Sequence, residues 1–226
     1  MKTDTAHLAW NSRWGTEHGR AAWLTPEPEV VALTEELART KGSIQALDHG
    51  CGVGRHALHL ARLGFATRAV DLSENGLAEL RRNAESEGLR LETKVAPMTA
   101  LPFPDAVFDY ALSFNVIYHG DGAIARTAFA EIRRVLKPNG IFQGTMLSKR
   151  NAGYGIGTEV APNTFVRERT ADDPQDSDKH HPHFYCNAGE LITLLAGMEL
   201  RSLVDRVQEK PESWHWHFIA ENRSRS

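Results

Sequence analysis

The residues best suited to chemistry are a glycine turn, a lone acid downstream of it and a scattered set of histidines. In Leu47-Asp48-His49-Gly50-Cys51-Gly52-Val53-Gly54-Arg55, glycines alternate with other residues behind an acid. Glycines so placed let the backbone pass close under a ligand, and a helix that follows presents free N–H groups to it. A dinucleotide fingerprint puts its third glycine three residues after the second. Counted from Gly52, that position is Arg55. The spacing G-x-G-x-G behind an acid therefore suits a ligand without a pyrophosphate, since Asp48 repels phosphates and can help hold an ammonium group. Asp71 follows at the spacing where a carboxylate accepts both hydroxyls of a ribose. Cys51, inside the turn, reads as a small packed side chain rather than a reactive thiol.

Eleven histidines and five tryptophans are more than the chain needs for packing, and they cluster. Histidine near its unperturbed pKa suits proton uptake. His119 and His183 are the candidate bases, with Tyr118 and Tyr185 to orient them. The plainer readings are that His119, just before Asp121, caps a helix, and that His180-His181-Pro182-His183 is a solvated loop. With His215 and His217 these imidazoles would also suit zinc, iron or copper. Three converging ligands are needed and no acid motif accompanies them, so no metal is expected. The acidic run from Asp172 to Asp178 reads as a solvated face.

These groups must be held by regular elements, and the flanking pattern shows which. No repeat period is present. Thr25-Pro26-Glu27 offers a cap, a first-turn proline and an acid at the positive end of a helix dipole. Val30, Val31, Leu33, Leu37 and Ala38 follow at helical spacing up to Gly42. Strands and helices then alternate: strand 43–47, helix 53–63, strand 66–70, helix 74–87 behind Ser73, and strands 89–95 and 108–114. Helix 123–136, closed by Lys137-Pro138-Asn139-Gly140, leads into strand 141–146. Alternation of this kind predicts right-handed crossovers and a doubly wound α/β fold, a mostly parallel Rossmann-like sheet with helices on both faces. Asn187 with Glu190 predicts a capping box for helix 188–196. Strands 200–208 and 214–220 around Lys210-Pro211-Glu212 predict an antiparallel C-terminal hairpin. One domain is expected over 1–226: a helical cover (1–42), a ligand-binding core (43–146), a flap (147–187), and the C-terminal helix and hairpin (188–226). The flap is long and lacks periodicity, which in a compact domain is usually functional.

Four motifs in this order resemble the class I S-adenosylmethionine-dependent methyltransferases over roughly residues 44–146. The family's glycine motif matches Asp48, Gly50, Gly52 and Gly54, with Cys51 inside it, and its ribose acid matches Asp71. Its LPFPDxxFD segment matches Leu101 to Asp109, and its LKPGG turn matches Leu136 to Gly140 with Asn139 in place of one glycine. The resemblance implies S-adenosylmethionine as cofactor and S-adenosylhomocysteine as product. Family members commonly carry Asp where Pro97 stands, so adenine is left with the backbone at Met98 and Thr99 and with apolar packing by Leu72 and Met98. The main chain of Asn115 is implied near the methionine moiety. Trp10-Asn11-Ser12-Arg13-Trp14 with Trp23 resembles the cover of thiopurine- and tellurite-type members, which implies Trp14 over the cofactor. The alternative is an amphipathic helix whose tryptophans simply pack on the sheet.

Ligands of open α/β sheets bind beyond the carboxyl ends of the strands. The acceptor pocket is therefore expected beside Asn115–Gly120, under the flap and the cover, with Trp214 or His215 on its wall. Methyl transfer is an in-line displacement in which positioning supplies much of the acceleration. A base is needed only for a nucleophile that enters protonated.

Composition narrows the acceptor. Lys+Arg 26 against Asp+Glu 29 gives a net charge of −3, which offers no footprint for a polyanion. The NPPY-type tetrapeptide of base-amino methyltransferases is absent, with Asn115-Val116-Ile117-Tyr118 in its place. The expected acceptor is thus a small molecule, neither nucleic acid nor membrane. Two cysteines in 226 residues suggest a reducing, cytoplasmic setting, and the N-terminus lacks an apolar signal core. A monomer or homodimer is expected. Two rivals remain: an NAD-dependent oxidoreductase, disfavoured by the glycine spacing and Asp48, and a non-catalytic S-adenosylmethionine-binding protein.

Overall fold

The computed structural model describes residues 2–171, 173, 177–208 and 210–223. Its helices are α1 (Ala6–Trp14), α2 (Glu17–Ala21), α3 (Pro28–Thr40), α4 (Arg55–Arg62), α5 (Glu74–Ser86), α6 (Gly122–Val135) and α7 (Ala188–Leu194). Its strands are β1 (Gln45–His49), β2 (Ala66–Asp71), β3 (Leu91–Val95), β4 (Phe108–Ser113), β5 (Leu136–Ser148), β6 (Thr158–Ala161), β7 (Thr164–Val166), β8 (His183–Cys186), β9 (Glu199–Val207) and β10 (Trp214–Asn222). Parallel strands in the order β3-β2-β1-β4-β5 form the centre of the sheet. Helices α4, α5 and α6 supply the crossovers, so the doubly wound α/β fold expected from the sequence is what forms. β10 lies antiparallel on β5 and β9 antiparallel on β10, which is the expected hairpin.

Residues of each central strand alternate between two cores, as the pleat requires. Leu47, Ala111 and Phe142 pack with Phe129 and Ile132 of α6, whereas Ala46, Tyr110 and Leu112 pack with Val30 and Leu37 of α3 and Leu60 of α4. Leu77 and Leu80 of α5 cover Ala57, Leu58 and Ala69.

Several local signals act where the spacing put them. Ser73 caps α5 by accepting from the Gly76 N–H, and Asn187 with Glu190 completes the capping box of α7. Asn139 adopts φ +63°, a left-handed conformation that asparagine tolerates better than other non-glycine residues. Most of the Leu101–Asp109 motif is structural: the Arg134 guanidinium donates to the carbonyls of Leu101 and Phe103, and Asp109 accepts from the Gln45 N–H and from Lys137.

Three expectations need correction. The cap of α3 is Glu27 rather than Thr25, because Pro28 fills the first helical position and holds the residue before it extended. Helix α4 starts at Arg55 rather than Val53, since Gly54 sits at φ +85° and α-helix cannot run through it. The flap, whose sequence lacks periodicity, carries strands among its described residues: β6 and β7 form a hairpin, and β8 pairs parallel with the end of β5. No described helix is long and apolar enough to cross a membrane.

Candidate functional site

A cavity of about 1040 Å³, mouth included, opens just beyond the carboxyl ends of β1, β2, β3 and β4. Its wall is formed by His49 to Val53, by Asp71 and Leu72, by Ala96 to Thr99, and by Phe114 to Val116 with His119. Of the expected cofactor residues, Trp14, Gly50, Cys51, Gly52, Asp71, Leu72, Met98, Thr99 and Asn115 all line it. Asp48 and Gly54 lie behind the wall.

The backbone determines the shape of the turn. Gly50 and Cys51 donate their N–H groups to the Val70 carbonyl at 2.8 and 3.0 Å. At Gly50, φ is +71° and a Cβ would lie 2.3 Å from Val116 Cγ1, so only glycine fits. Asp71 accepts from the Gly52 N–H at 2.8 Å and from the Ser73 N–H at 2.7 Å, one on each carboxylate oxygen. Each oxygen keeps a further lone pair. Burial pushes the Asp71 carboxyl above its usual range, against those backbone donors. Asp48 is nearly inaccessible and its Oδ2 has no hydrogen-bond partner among the described residues; burial pushes its carboxyl up to about 7. Burial also raises the Cys51 thiol well above its usual value, which makes it a packed wall residue. The Asn115 N–H donates to Thr145 Oγ1 at 2.7 Å, which fixes the chain at φ +60°.

The cover is built by helix α1 and the segment behind it. Trp10 and Trp14 stack at 4.9 Å, and Trp23 meets both edge-on. Asn11 fastens the helix to the start of α5: its Oδ1 accepts from Ser73 Oγ and the Asn75 N–H. Arg55 joins cover to core, paired with Glu27 at 2.9 Å and with its guanidinium over the Trp23 ring.

On the far side of the cavity, β8 brings two distant segments together. The Phe184 N–H donates to the Tyr118 carbonyl at 2.9 Å. His119 Nε2 and His183 Nε2 then lie 3.4 and 3.2 Å from the same oxygen, Asp178 Oδ2. Tyr118 packs among the imidazoles, 4.6 Å from His119 and 6.0 Å from His183 between ring centroids. Burial lowers the His183 pKa to about 4. Burial also acts to raise the Asp178 carboxyl, but hydrogen bonds to His119 and His183 and the charge of Lys179 outweigh it and hold the group well below its usual range.

The helix-cap reading of His119 does not hold: Asp121 caps α6, accepting from the Ala123 and Ile124 N–H groups. Nor is Asp178 on a solvated face. It is buried, because the 3-10 turn Asp178–His180 folds it under His183; Asp172 and Asp176 lie outside the described residues. The remaining histidines disperse, with His180 hydrogen-bonded to the Arg167 carbonyl, His181 to Thr5 and His217 to Glu29. Tyr185 packs against Tyr154 and Phe165, away from His119. His215 is buried beside Tyr118, and Trp214 carries the Arg150 guanidinium on its ring; neither lines the cavity. Sequence reasoning missed Asp178, Arg55 and His49. Of these, Asp178 alone left a signal, an acid five residues before His183. His49 accepts a hydrogen bond from or donates one to Ser113 Oγ at 2.9 Å, and burial lowers its pKa to about 4.

Comparison with known proteins bears on the fold that carries this site. Residues 46–140 match the family model described as a methyltransferase domain. Over 122 residues the chain is 34% identical to a ubiquinone biosynthesis O-methyltransferase of Paramagnetospirillum magneticum, covering 54% of this chain and 48% of that protein. The chain thus spans about half the length of that curated relative. Among solved structures it is similar to a 1,6-didemethyltoxoflavin-N1-methyltransferase of Burkholderia thailandensis with bound 1,6-didemethyltoxoflavin and S-adenosylhomocysteine (TM-score 0.71, 21% identity, covering 97% of this chain and 89% of that one). It is also similar to a SAM-dependent methyltransferase of Methanosarcina mazei (TM-score 0.70, 21% identity, covering 88% and 99%). At these identities the structural likeness speaks for the fold.

Proposed function

Residues 46–140 are a methyltransferase domain of the class I, S-adenosylmethionine-dependent kind, and on that premise we propose that the protein transfers a methyl group from S-adenosylmethionine to a small-molecule acceptor. The observation that carries this reading is the cavity wall: a glycine turn and a ribose-spaced acid on one side, a covering tryptophan cluster above, and a histidine with its buried acid at the far end. The residues fit the cofactor. Gly50 and Gly52 present no Cβ to it. Bound there, S-adenosylmethionine supplies a methyl group on a sulfonium centre that already holds an excellent leaving group.

The chain's own part is to position and to exclude water. Asp71 takes the ribose hydroxyls with the lone pairs that Gly52 and Ser73 leave free. Leu72, Met98 and Thr99 flank the adenine, and Cys51 fills the wall beside them. Trp14 closes over the nucleoside from α1. Asn115, fixed by Thr145, borders the methionine end. Behind the wall, Gly54 lets the turn enter α4, and Asp48 lies buried off the cavity lining, so it backs the turn rather than meeting the ammonium group. His119 lines the cavity; with Asp178, His183 and the packed Tyr118 ring it forms the polar wall that meets the acceptor and sets its ionisation. The reading extends to a cytoplasmic monomer or homodimer acting on small molecules rather than nucleic acid, in keeping with the net charge of −3.

Calorimetry with S-adenosylhomocysteine on the wild type and on Asp71→Ala tests the cofactor site. The substitution should weaken binding by about ten- to a hundredfold, the equivalent of losing roughly 1–3 kcal/mol of buried hydrogen bonding. Unchanged affinity, or a wild type that takes NAD instead, overturns the reading. Methyl transfer itself is read by incubation with labelled cofactor and a panel of oxygen, nitrogen and sulfur acceptors.

A further inference from the structure

The three groups at the far end of the cavity bring metal-ligating atoms together on buried residues. His119 Nδ1 lies 3.0 Å from the Val116 carbonyl and His183 Nδ1 lies 2.8 Å from the His181 carbonyl. A carbonyl only accepts, so each Nδ1 carries a hydrogen and donates it; Nε2 then donates to Asp178 when the ring is protonated and holds a lone pair free for a metal when it is neutral. Both Nε2 atoms face one carboxylate oxygen, Asp178 Oδ2. With both rings neutral, three acceptors on buried residues face one another, so a proton or a metal ion has to sit between them. Two further donors reach the group: Lys179 Nζ lies 3.3 Å from Asp178 Oδ2, and the Trp10 indole N–H lies at a long 3.4 Å from His119 Nε2.

We propose that His119, Asp178 and His183 ligate one divalent transition-metal ion with a coordination position open to the cavity. The donor atoms lie within 4.8 Å of one another, and the two nitrogen–oxygen edges of 3.4 and 3.2 Å match those around an ion. Bonds of about 2.0–2.1 Å in a tetrahedral shell give edges of roughly 3.3 Å. Hydrogen bonds from Nδ1 to backbone carbonyls are the arrangement that orients imidazole ligands on a metal. Two imidazoles with one carboxylate suit Zn²⁺, Fe²⁺ or Co²⁺ rather than Mg²⁺ or Ca²⁺, which favour all-oxygen shells. His119 lines the cavity, so the open position takes an anionic oxygen or sulfur of the incoming acceptor. That last assignment rests on the methyltransferase reading, whereas binding of the ion does not.

The test uses the full chain, stripped with a chelator and titrated with Co²⁺. One equivalent should bind, with visible ligand-field absorption and two exchangeable, paramagnetically shifted Nδ1–H resonances in the proton spectrum, one for each histidine ligand. Asp178→Asn and His183→Gln should each weaken binding by more than the roughly 10–100-fold that loss of an outer-shell partner causes. Calorimetry with S-adenosylhomocysteine on the same samples reports folding and the cofactor site independently. A wild type that binds S-adenosylhomocysteine but no Co²⁺, a complex without the two shifted resonances, or variants that bind Co²⁺ as the wild type does, each overturn the metal site while leaving the cofactor site standing. Loss of S-adenosylhomocysteine binding in the wild type would instead count against the methyltransferase reading.

Discussion

The two ends of the cavity bury acids to opposite effect. Behind the glycine turn, Asp48 forms no ion pair among the described residues, and burial pushes its carboxyl up to about 7 against the charge of Arg55. At the far end, Asp178 is buried almost as deeply, but two imidazoles and Lys179 hold it well below its usual range. The turn end is made from backbone: N–H groups of Gly50, Cys51, Gly52 and Ser73 tied to Val70 and Asp71, which adjacent parallel strands β1 and β2 bring together. The far end is made from side chains that meet only because β8 docks beside the loop after β4. Burial alone therefore does not determine charge here; the company each acid keeps does.

If the ends divide the labour between holding the cofactor and handling the acceptor, substitutions at one should spare the other. The largest effect is expected for His119→Ala, which should lower kcat by roughly 10²–10⁴-fold, the range for groups that set a nucleophile's ionisation, while S-adenosylhomocysteine affinity stays within about twofold. A parallel loss of cofactor affinity would show that the division is false. Gly50→Ala should do the reverse. A Cβ there meets Val116 Cγ1 at 2.3 Å in a left-handed residue, so strain and overpacking together should cost about 2–5 kcal/mol, measured by denaturant unfolding, and cofactor affinity should fall with it.

Asp48→Asn sharpens the contrast between the acids. In the unfolded chain Asp48 ionises near its ordinary pKa, whereas in the folded protein it stays protonated until about pH 7. The unfolded state therefore sheds its proton first, and the wild type loses stability as pH rises through that window. The loss is on the order of 4 kcal/mol, since each pH unit between the two ionisations is worth about 1.36 kcal/mol, and it is complete above pH 7. The variant keeps a neutral group of the same shape. Unfolding midpoints should favour it at pH 8 and converge with the wild type at pH 4; a constant difference would mean that Asp48 is already ionised in the fold.

How legible each end was in the sequence follows from the same contrast. The turn, Asp71, Asn115 and the caps of α5 and α7 are local, so residue type and spacing determine the backbone and hence the contacts. The doubly wound, mostly parallel sheet followed from alternation and handedness. The group of His119, Asp178 and His183 depends on a register between β5 and β8 that no local spacing encodes, and Asp178 sits in a charged run whose other members gave no reason to bury it. Arg55 was visible only as the residue that breaks a dinucleotide fingerprint. Its role emerges once Glu27 and Trp23 are folded over it. Thr25 and Glu27 competed for one cap, and Pro28 decided between them.

The smallest expected effect tests the link between the ends. Thr5 opens α1, yet its hydroxyl is hydrogen-bonded to His181 Nδ1 at 2.9 Å rather than capping its own helix, while Thr3 donates to Asp121 at 2.8 Å. The cover is thereby tied both to the segment that carries Asp178 and His183 and to the cap of α6. Thr5→Val keeps the shape and removes one of these ties, at about 0.5–1.5 kcal/mol. If the cover has to lift for the cofactor to leave, that energy should emerge as S-adenosylhomocysteine dissociation faster by up to about tenfold in stopped-flow fluorescence of the tryptophan cluster, with the association rate little changed. A dissociation rate equal to that of the wild type would mean that the Asn11 contacts to α5 hold the cover without help from the flap, and that the two ends of the cavity close independently.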